Sequence, residues 1–249
     1  MSDPRTAIID KRLKSIKNII AVSSGKGGVG KSLVASVLAL TLARKGYKIG
    51  FLDLDFTSPS SHIVLDIGEK KPKEKKGIVP PNVHGLHYMS VVYYSAEHAS
   101  PLRGFETTDV LIELLAVIKW GKLDFLVLDM PPGLGDVTLD LLRFVKNVKF
   151  LVVTTPSKLA FETVRKLVDL LKEAKVPVLG VVENMQVNDS SWIKQQVELK
   201  GIRYLGAVPY DSGLEENIGN IEGLLETKFS VALKEICGDI EDKLLVLGC

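Results

Sequence analysis

The sequence predicts an α/β fold, a doubly wound three-layer domain with a mostly parallel sheet, and three observations support it. From residue 19 to about 210, short β-branched runs alternate with longer stretches of helical spacing. The short runs are continuously apolar, which is typical of strands buried on both faces of a parallel sheet. The chain has 249 residues, a length at which α/β proteins commonly build one domain around a single sheet.

The predicted elements alternate regularly along the chain. Apolar runs are predicted to be strands over residues 19–24, 48–55, 86–92, 124–130, 150–155, 177–184 and 203–209. Helices are predicted, from apolar residues that recur every three or four positions, over residues 31–45, 107–119, 137–146 and 159–174. Strands joined by helices in this way lie parallel, and such sheets bind ligands beyond the carboxyl ends of their strands.

Three segments fall outside this alternation within a single predicted domain of residues 1–249. Residues 1–18 are an N-terminal extension, and residues 66–85 are a basic surface insertion. The insertion contains GEKKPKEKKG, with five lysines in ten residues, so we expect a solvated loop or arm; a patch for an acidic partner is the alternative. Residues 229–249 are predicted to form a final helix, with inward-facing positions at Val231, Ile236, Ile240 and Leu244.

Composition and charge limit the function. The 32 Lys and Arg against 30 Asp and Glu leave a net charge of +2, which argues against charge-driven nucleic-acid binding. No apolar run approaches the roughly 20 residues that cross a bilayer, and the amino terminus lacks the apolar core of a signal peptide. We therefore expect a cytoplasmic protein with neither nucleic acid nor membrane as a partner.

The cysteines and histidines do not suggest a metal site. Cys237 and Cys249 are the two cysteines, too few for a disulfide framework and at a separation that matches no metal-ligand spacing. We interpret each as a small apolar filler or a chain-end thiol. The four histidines are expected at the surface or half-buried, and they are His62, His84, His87 and His98.

A phosphate-binding loop follows the first strand. It matches the pattern G-x-x-x-x-G-K-[ST] and leads directly into a helix, the context that this motif requires. Its residues are Gly25, Lys26, Gly27, Gly28, Val29, Gly30, Lys31 and Ser32. The glycines let backbone N–H groups converge on phosphate oxygens, and the helix directs its positive end at the same anion. Lys31 is predicted to reach the β and γ phosphates, and Ser32 to bind Mg²⁺.

Three aspartates lie at predicted strand ends. Asp129 ends one strand before a Pro-Pro-Gly turn, which places a glycine amide where a γ-phosphate could be sensed. Asp53 and Asp55 end another strand, and their D-x-D spacing sends both side chains to the same side of the backbone. One could order the waters of the metal while the other orients an attacking water. Together with the phosphate loop, the aspartates predict a nucleotide site.

These residues resemble a known group of ATPases. The additional lysine of KGGVGKS, Lys26, is similar to that in the deviant Walker A loop of MinD, ParA, the arsenite-pump ATPase and the nitrogenase iron protein. Within this group the chain most resembles the Mrp/ApbC family, ATPases that carry iron–sulfur clusters. The resemblance covers about Ile19 to Gly219, in the segments SSGKGGVGKS, LDLDFTSPS, LDFLVLDMPPGLGD, FLVVTTPSKLAFETVRK, VPVLGVVENM and LGAVPYD.

The resemblance implies roles at the matching positions. Lys26 would reach across a face-to-face homodimer to the nucleotide of the partner subunit, much as an arginine finger does. Asp55 would orient the hydrolytic water, and Asp53 and Asp129 would serve the Mg²⁺ water shell beside Ser32. Three further residues would lie at the adenine: Asn184 at the base edge, Pro209 packed on the base, and Asp211 nearby.

The chain departs from this family at the cluster ligands. Cluster-carrying members have a C-P-x-C motif shortly after the E-N-M segment, whereas this chain has ENMQVNDSSWIKQQ, without cysteine. Because clusters are normally held by cysteine thiolates, a bound iron–sulfur cluster is doubtful here.

The sequence therefore predicts a Mg²⁺-dependent ATP-binding protein and slow ATPase that acts as an ATP-dependent homodimeric switch. Its predicted work is iron–sulfur cluster assembly or transfer, with a scaffold or client protein as partner. Two alternatives stay open: a spatial-organisation ATPase like MinD or ParA, and a nucleotide-binding regulator with little turnover.

Overall fold

The computed structural model describes residues 5–95, 105–188 and 191–247. The strands in these ranges are β1 Ile16–Ser24, β2 Ile49–Asp53, β3 Lys73–Glu74, β4 Ile78–Val79, β5 Asn82–Val83, β6 Leu86–Ser90, β7 Leu123–Asp129, β8 Val148–Thr154, β9 Val178–Gln186 and β10 Tyr204–Pro209. The helices are α1 Arg5–Leu13, α2 Lys31–Arg44, α3 Ser61–Val64, α4 Val92–Ser95, α5 Phe105–Val117, α6 Asp136–Phe144, α7 Lys158–Glu173, α8 Ser191–Leu199, α9 Ile221–Glu226 and α10 Lys228–Leu247. A short 3-10 helix, Glu215–Asn217, precedes α9.

Eight strands form one sheet in the order β10-β9-β8-β1-β7-β2-β6-β5. Neighbouring strands are parallel, except that β5 runs antiparallel to β6. The predicted doubly wound α/β fold is confirmed, and each predicted strand is present with bounds shifted by a few residues. None of the helices in the described parts of the chain is both long and apolar enough to cross a bilayer.

Two apolar cores lie on opposite faces of the sheet. One is formed with α2, α3, α9 and α10, and the other with α1, α5, α6, α7 and α8. Successive residues of a strand point to opposite faces, so Ile19 belongs to one core and Ile20 to the other. This two-sided burial explains why the strand runs are continuously apolar in the sequence.

The final helix, α10, corrects one prediction. Val231 is 51% exposed, so its predicted inward position is wrong. The buried positions instead follow helical spacing, at Phe229, Leu233, Ile236, Cys237, Ile240 and Leu244. Residues two apart on a helix lie about 200° apart around its axis, so Val231 faces away from the core that Phe229 enters.

The other two segments outside the alternation, the N-terminal extension and the basic insertion, both contact the body of the domain. In the N-terminal extension, α1 buries Ile9 and Leu13, and Arg12 Nε donates to the Ala116 carbonyl at 3.0 Å. In the basic insertion, β3 and β4 pair as an antiparallel hairpin, and the Lys119 N–H donates to the Ile78 carbonyl at 2.7 Å. The lysines of GEKKPKEKKG are exposed, as a solvated segment requires.

Candidate nucleotide site

The glycine-rich loop lies between β1 and α2, where the backbone approaches two other elements closely. Gly30 has a φ of 79°, and a Cβ there would lie 2.3 Å from Asn184 Nδ2. That amide donates to the Val29 carbonyl at 2.9 Å, which ties the end of β9 to the loop. A Cβ on Gly25 would lie 2.2 Å from Thr163 Oγ1 on α7. Both positions therefore require glycine.

A cavity of about 560 Å³ opens above this loop. The predicted residues that line it are Lys26, Gly27, Gly28, Val29, Gly30, Lys31, Ser32 and Asp55. Sequence reasoning missed further lining residues, among them Thr57, Ser58, Ser60, Pro132, Glu215 and Ile218. The available signal for them was their position just beyond the carboxyl ends of strands, where such folds bind ligands.

Lys31 forms one cluster with the carboxylate predicted to hold the waters of the metal and the carboxylate predicted to orient the attacking water. Its side chain is 6% exposed, and its Nζ lies 2.5 Å from Asp129 Oδ1 and 3.7 Å from Asp55 Oδ2. The same Nζ lies 3.3 Å from Ser32 Oγ. Lys31 is thus held between two carboxylates at the edge of the cavity, whose lining it joins.

Asp53 and Asp129 lie behind the cavity rather than in its lining. They are register partners on adjacent strands, and both are 0% exposed. Burial, followed by the negative charge of Asp129, raises the pKa of Asp53 to about 7, although hydrogen bonds from Ser61 and from the Asp55 N–H act in the opposite direction. Burial also raises the pKa of Asp129, against the charge of Lys31. Among the described residues, Lys31 is the cation whose charge acts on both carboxylates.

The donor set fits a magnesium ion. Asp129 Oδ2 is buried and has no hydrogen-bond partner among the described residues, and a metal-bound water would supply one. Carboxylate and hydroxyl oxygens are hard donors of the kind that Mg²⁺ prefers. Ser32 would bind the ion directly, and Asp53 and Asp129 would hold its waters.

We expect the stability of the nucleotide-free protein to fall between pH 6 and pH 8. A carboxyl whose pKa is raised on folding contributes its stability below the ordinary aspartate pKa and loses it as the pH rises through the folded value. With the pKa of Asp53 at about 7, the loss is about 1 to 2 kcal/mol, or a few degrees in Tm. Thermal melts in EDTA measure this, and Asp53→Asn should flatten the slope. Equal slopes in both proteins would contradict the assignment.

Two backbone segments beside the cavity are held by local hydrogen bonds. Asp55 Oδ1 accepts from the Thr57 N–H at 3.2 Å, the Thr57 hydroxyl at 2.7 Å and the Ser58 N–H at 3.1 Å, which directs Oδ2 towards Lys31. The Gly133 N–H donates to the Ser24 carbonyl at 2.8 Å. The amide that we predicted to sense a γ-phosphate is therefore bound to β1, and it can reach a phosphate only by breaking that bond.

The three predicted adenine residues do not line the cavity. Pro209 ends β10, beside Gln186 in register. The Asp211 carboxylate accepts from the Gly213 N–H at 3.1 Å and from the Phe229 N–H at 3.4 Å, near the start of α10. Asn184 is buried and bonded to the loop, as described above. Their adenine contacts stay predictions.

Cys237 is enclosed in the core beneath α10. It is 0% exposed, and burial raises its pKa to about 12. Cys249 and His98 lie outside the described residues. Within the described ranges, no group of three or more His, Cys, Asp and Glu side chains is placed to hold a metal ion.

The loop between β1 and α2, with Lys31 against the aspartate that ends β7, defines a P-loop NTPase with an additional lysine in the loop. A family model described as ParA, NUBPL iron-transfer P-loop NTPase, matches residues 15–245. The chain therefore belongs to this family, which confirms the resemblance drawn from its motifs.

Two relatives that are named iron–sulfur cluster carrier proteins support the family assignment. An iron–sulfur cluster carrier protein of Pseudomonas fragi is 43% identical over 180 residues, which are 71% of this chain and 63% of that protein. The iron–sulfur cluster carrier protein of Aquifex aeolicus is 37% identical over 222 residues, 83% of this chain and 61% of that protein. The chain thus spans less than two thirds of the length of these relatives.

Solved structures share the architecture. A nucleotide-binding protein from Archaeoglobus fulgidus, determined in complex with ADP, is 29% identical with a TM-score of 0.75, covering 89% of this chain and 93% of that chain. The septum site-determining protein MinD of Pyrococcus horikoshii, complexed with Mg-ADP, is 22% identical with a TM-score of 0.70, covering 93% and 98%. The MinD likeness shows a shared fold.

Proposed function

We propose that the chain is a Mg²⁺-dependent ATP-binding protein and slow ATPase that acts as a dimeric nucleotide switch in iron–sulfur cluster assembly or transfer. The observation that carries this proposal is the cavity of about 560 Å³ above the phosphate loop, lined by Lys26, Lys31, Ser32 and Asp55. It combines cations for phosphates, a hydroxyl for a metal and a carboxylate for a water. The cytoplasm is the compartment that the sequence favours.

The chemistry is an in-line attack of water on the γ-phosphorus. A bond forms from the water oxygen to phosphorus while the bond to the β,γ-bridging oxygen breaks. ADP leaves with the electron pair of the broken bond, and the protons of the water leave on the phosphate. Asp55 Oδ2, held towards the cavity by the bonds to its other oxygen, orients the water. Lys31 neutralises charge on the β and γ phosphates. Mg²⁺ at Ser32 would supply further positive charge at the same oxygens.

The surface around the cavity supports a nucleotide-dependent homodimer. Lys26 is exposed, and it forms no ion pair with any carboxylate in the described ranges. Large apolar side chains that follow the carboxyl ends of strands at this edge are also exposed, Leu134 by 43%, Leu159 by 78%, Val187 by 74% and Tyr210 by 61%. A second copy laid face to face would cover them and bring its own Lys26 to the nucleotide.

The response to nucleotide would come from two segments, residues 53–61 and 129–136. In the first segment, backbone N–H groups donate to the Asp55 carboxylate. The second segment is held by the Gly133 N–H, which donates to the Ser24 carbonyl. A γ-phosphate competes for these groups, so its presence or loss changes the surface that a scaffold or client protein meets. The names of the relatives, iron–sulfur cluster carrier proteins, make cluster assembly or transfer the best-supported output.

Calorimetric titration with ATP and ADP, in Mg²⁺ and in EDTA, tests the nucleotide part of the proposal. We expect ATP binding that tightens with Mg²⁺, together with slow release of phosphate. Binding without phosphate release would favour a nucleotide-binding regulator. No binding of either nucleotide would remove the proposal.

The cluster part of the proposal makes a separate prediction, because the expected thiolates are missing. Residues 186–196 offer Asn, Asp and Ser oxygens where the family has cysteines, and Cys237 is buried with a pKa raised to about 12. We expect anaerobic reconstitution with iron and sulfide, followed by desalting, to leave a colourless protein with substoichiometric iron. A stable brown dimer that disappears in Cys237→Ala would overturn this and would place the cluster at the carboxyl-terminal thiols.

A further inference from the structure

A chain of buried hydroxyl groups, outside the lining of the cavity, leads to Asp53. The Ser61 hydroxyl is hydrogen-bonded to Asp53 Oδ2, and its Oγ lies 2.9 Å from the Tyr88 hydroxyl. Asp53, Ser61 and Tyr88 are each 0% exposed. None of the motifs in the sequence marks Ser61 or Tyr88, and neither side chain lines the nucleotide cavity.

Three separate elements of the fold contribute to this chain of hydroxyl groups. Asp53 ends β2, Ser61 begins α3, and Tyr88 lies in β6, the neighbour of β2 in the sheet. Tyr88 is held in place by its ring, which stacks on its register partner Phe51 with centroids 5.8 Å apart and planes 15° apart. These hydrogen bonds therefore link the end of the nucleotide-responsive segment 53–61 to β6.

The number of available protons fixes the direction of the hydrogen bonds. In the Mg²⁺-loaded site, where the charge of the ion favours the ionised form of Asp53, this carboxylate only accepts, and each hydroxyl carries one proton. Ser61 therefore donates to Asp53, and its oxygen is left to accept from the Tyr88 hydroxyl. Each donor in such a chain strengthens the next one, and the effect is largest away from water. Asp53 Oδ1 meanwhile accepts from the Asp55 N–H at 3.0 Å, so both oxygens of the carboxylate are fixed.

We propose that Ser61 and Tyr88 are positioning residues that hold the Asp53 carboxylate in the orientation in which it receives the water shell of the nucleotide's Mg²⁺. This inference rests on the proposed function. The physical reason is geometric: Mg²⁺ demands a near-ideal octahedron at short distances, so a carboxylate that rotates away from its waters binds them poorly. Ser61 acts directly on Asp53, and Tyr88 acts through Ser61.

The test compares variants that remove one hydroxyl each. Tyr88→Phe keeps the ring that stacks on Phe51, and Ser61→Ala removes the middle link. The matched control is Tyr93→Phe, since the Tyr93 ring packs edge-on against Tyr88 at 6.2 Å but its hydroxyl donates to the Lys70 carbonyl at 2.8 Å. The Mg²⁺ concentration that gives half-maximal ATP turnover is measured at saturating ATP, and ATP affinity is measured separately in EDTA.

We expect Ser61→Ala and Tyr88→Phe each to raise the half-maximal Mg²⁺ concentration about tenfold, the size expected when a buried carboxylate loses a hydrogen bond. ATP affinity in EDTA should stay at the wild-type value, and Tyr93→Phe should behave as wild type. The double variant should be no worse than Ser61→Ala, because Tyr88 acts through Ser61.

Two outcomes would overturn the inference alone, and a third would overturn it together with the proposed function. Folded variants with the wild-type Mg²⁺ requirement would show that the chain is structural and would leave the proposed function intact. Additive effects in the double variant would show that Tyr88 does not act through Ser61. A wild-type protein whose ATP binding ignores Mg²⁺ would instead overturn the proposed function and the inference together.

Discussion

Lys31→Ala is expected to reduce ATP turnover about a hundredfold or more, the effect of removing one group that stabilises charge in a transition state. Lys31 begins α2 and lines the cavity, with its Nζ 2.5 Å from Asp129 Oδ1. No other lysine in the described ranges is both buried and in this cluster. Phosphate release at saturating Mg²⁺ and ATP measures the effect.

The same substitution should also destabilise the protein. It leaves Asp53, Asp55 and Asp129 buried together without a cation, and breaking a buried ion pair from one side costs about 3 kcal/mol or more. Because the pKa values of Asp53 and Asp129 are raised, protonation relieves the repulsion at low pH. We therefore expect the loss of stability to be larger at pH 8 than at pH 6, as measured by thermal denaturation.

Two further variants separate the chemical effect from the structural one. Lys31→Arg keeps a positive charge beside the carboxylates, but its planar guanidinium cannot replace a compact ammonium at the phosphates; it should stay folded and still lose turnover. Lys17→Ala removes an exposed lysine that pairs with Asp124 at 2.8 Å, outside the cavity, and should retain turnover. Comparable turnover in Lys31→Ala and wild type would remove the basis of the nucleotide assignment.

The strands and long helices were predictable because each shows its period directly in the sequence. Elements were missed where they are too short, or bury too few residues, to show a period. The strands β3, β4 and β5 have two residues each, and α1 buries only Ile9 and Leu13 among its nine residues. Val231 was misplaced because an apolar residue in a helix indicates a core position only when its neighbours fix the buried face.

The site was predictable where one local segment carries the chemistry. The phosphate loop and the strand-end aspartates follow from motif and position, and the structure brings Lys31, Asp55 and Asp129 together. The link from Tyr88 through Ser61 to Asp53 depends on β6 being the neighbour of β2 in the sheet, which no local pattern reveals. Which hydrogen bonds hold Gly133 and Asn184 depends likewise on tertiary contacts.

Lys26→Ala is expected to retain most of its nucleotide affinity while losing ATP-dependent dimerisation and most of its turnover. Lys26 is exposed at the loop, whereas Lys31 is enclosed with the carboxylates. The nucleotide site of the Lys26→Ala protein would therefore keep Lys31, the main cation for the phosphates. A second copy would lose the positive charge that joins its nucleotide to the partner subunit. Light scattering with Mg²⁺ and a non-hydrolysable ATP analogue measures the dimer, and titration with the same analogue measures affinity.

A neighbouring lysine provides the control for this prediction. Lys158 is exposed at the start of α7, directly after β8 and therefore at the same edge of the sheet, but it does not line the cavity. Lys158→Ala removes the same charge from the same face, so it should still dimerise with the analogue. If both variants lost the dimer equally, Lys26 would act only through the net charge of this face and not through a specific contact with the nucleotide of the partner subunit. A wild type that stays monomeric, or a Lys26→Ala protein that dimerises normally, would exclude its action across the interface.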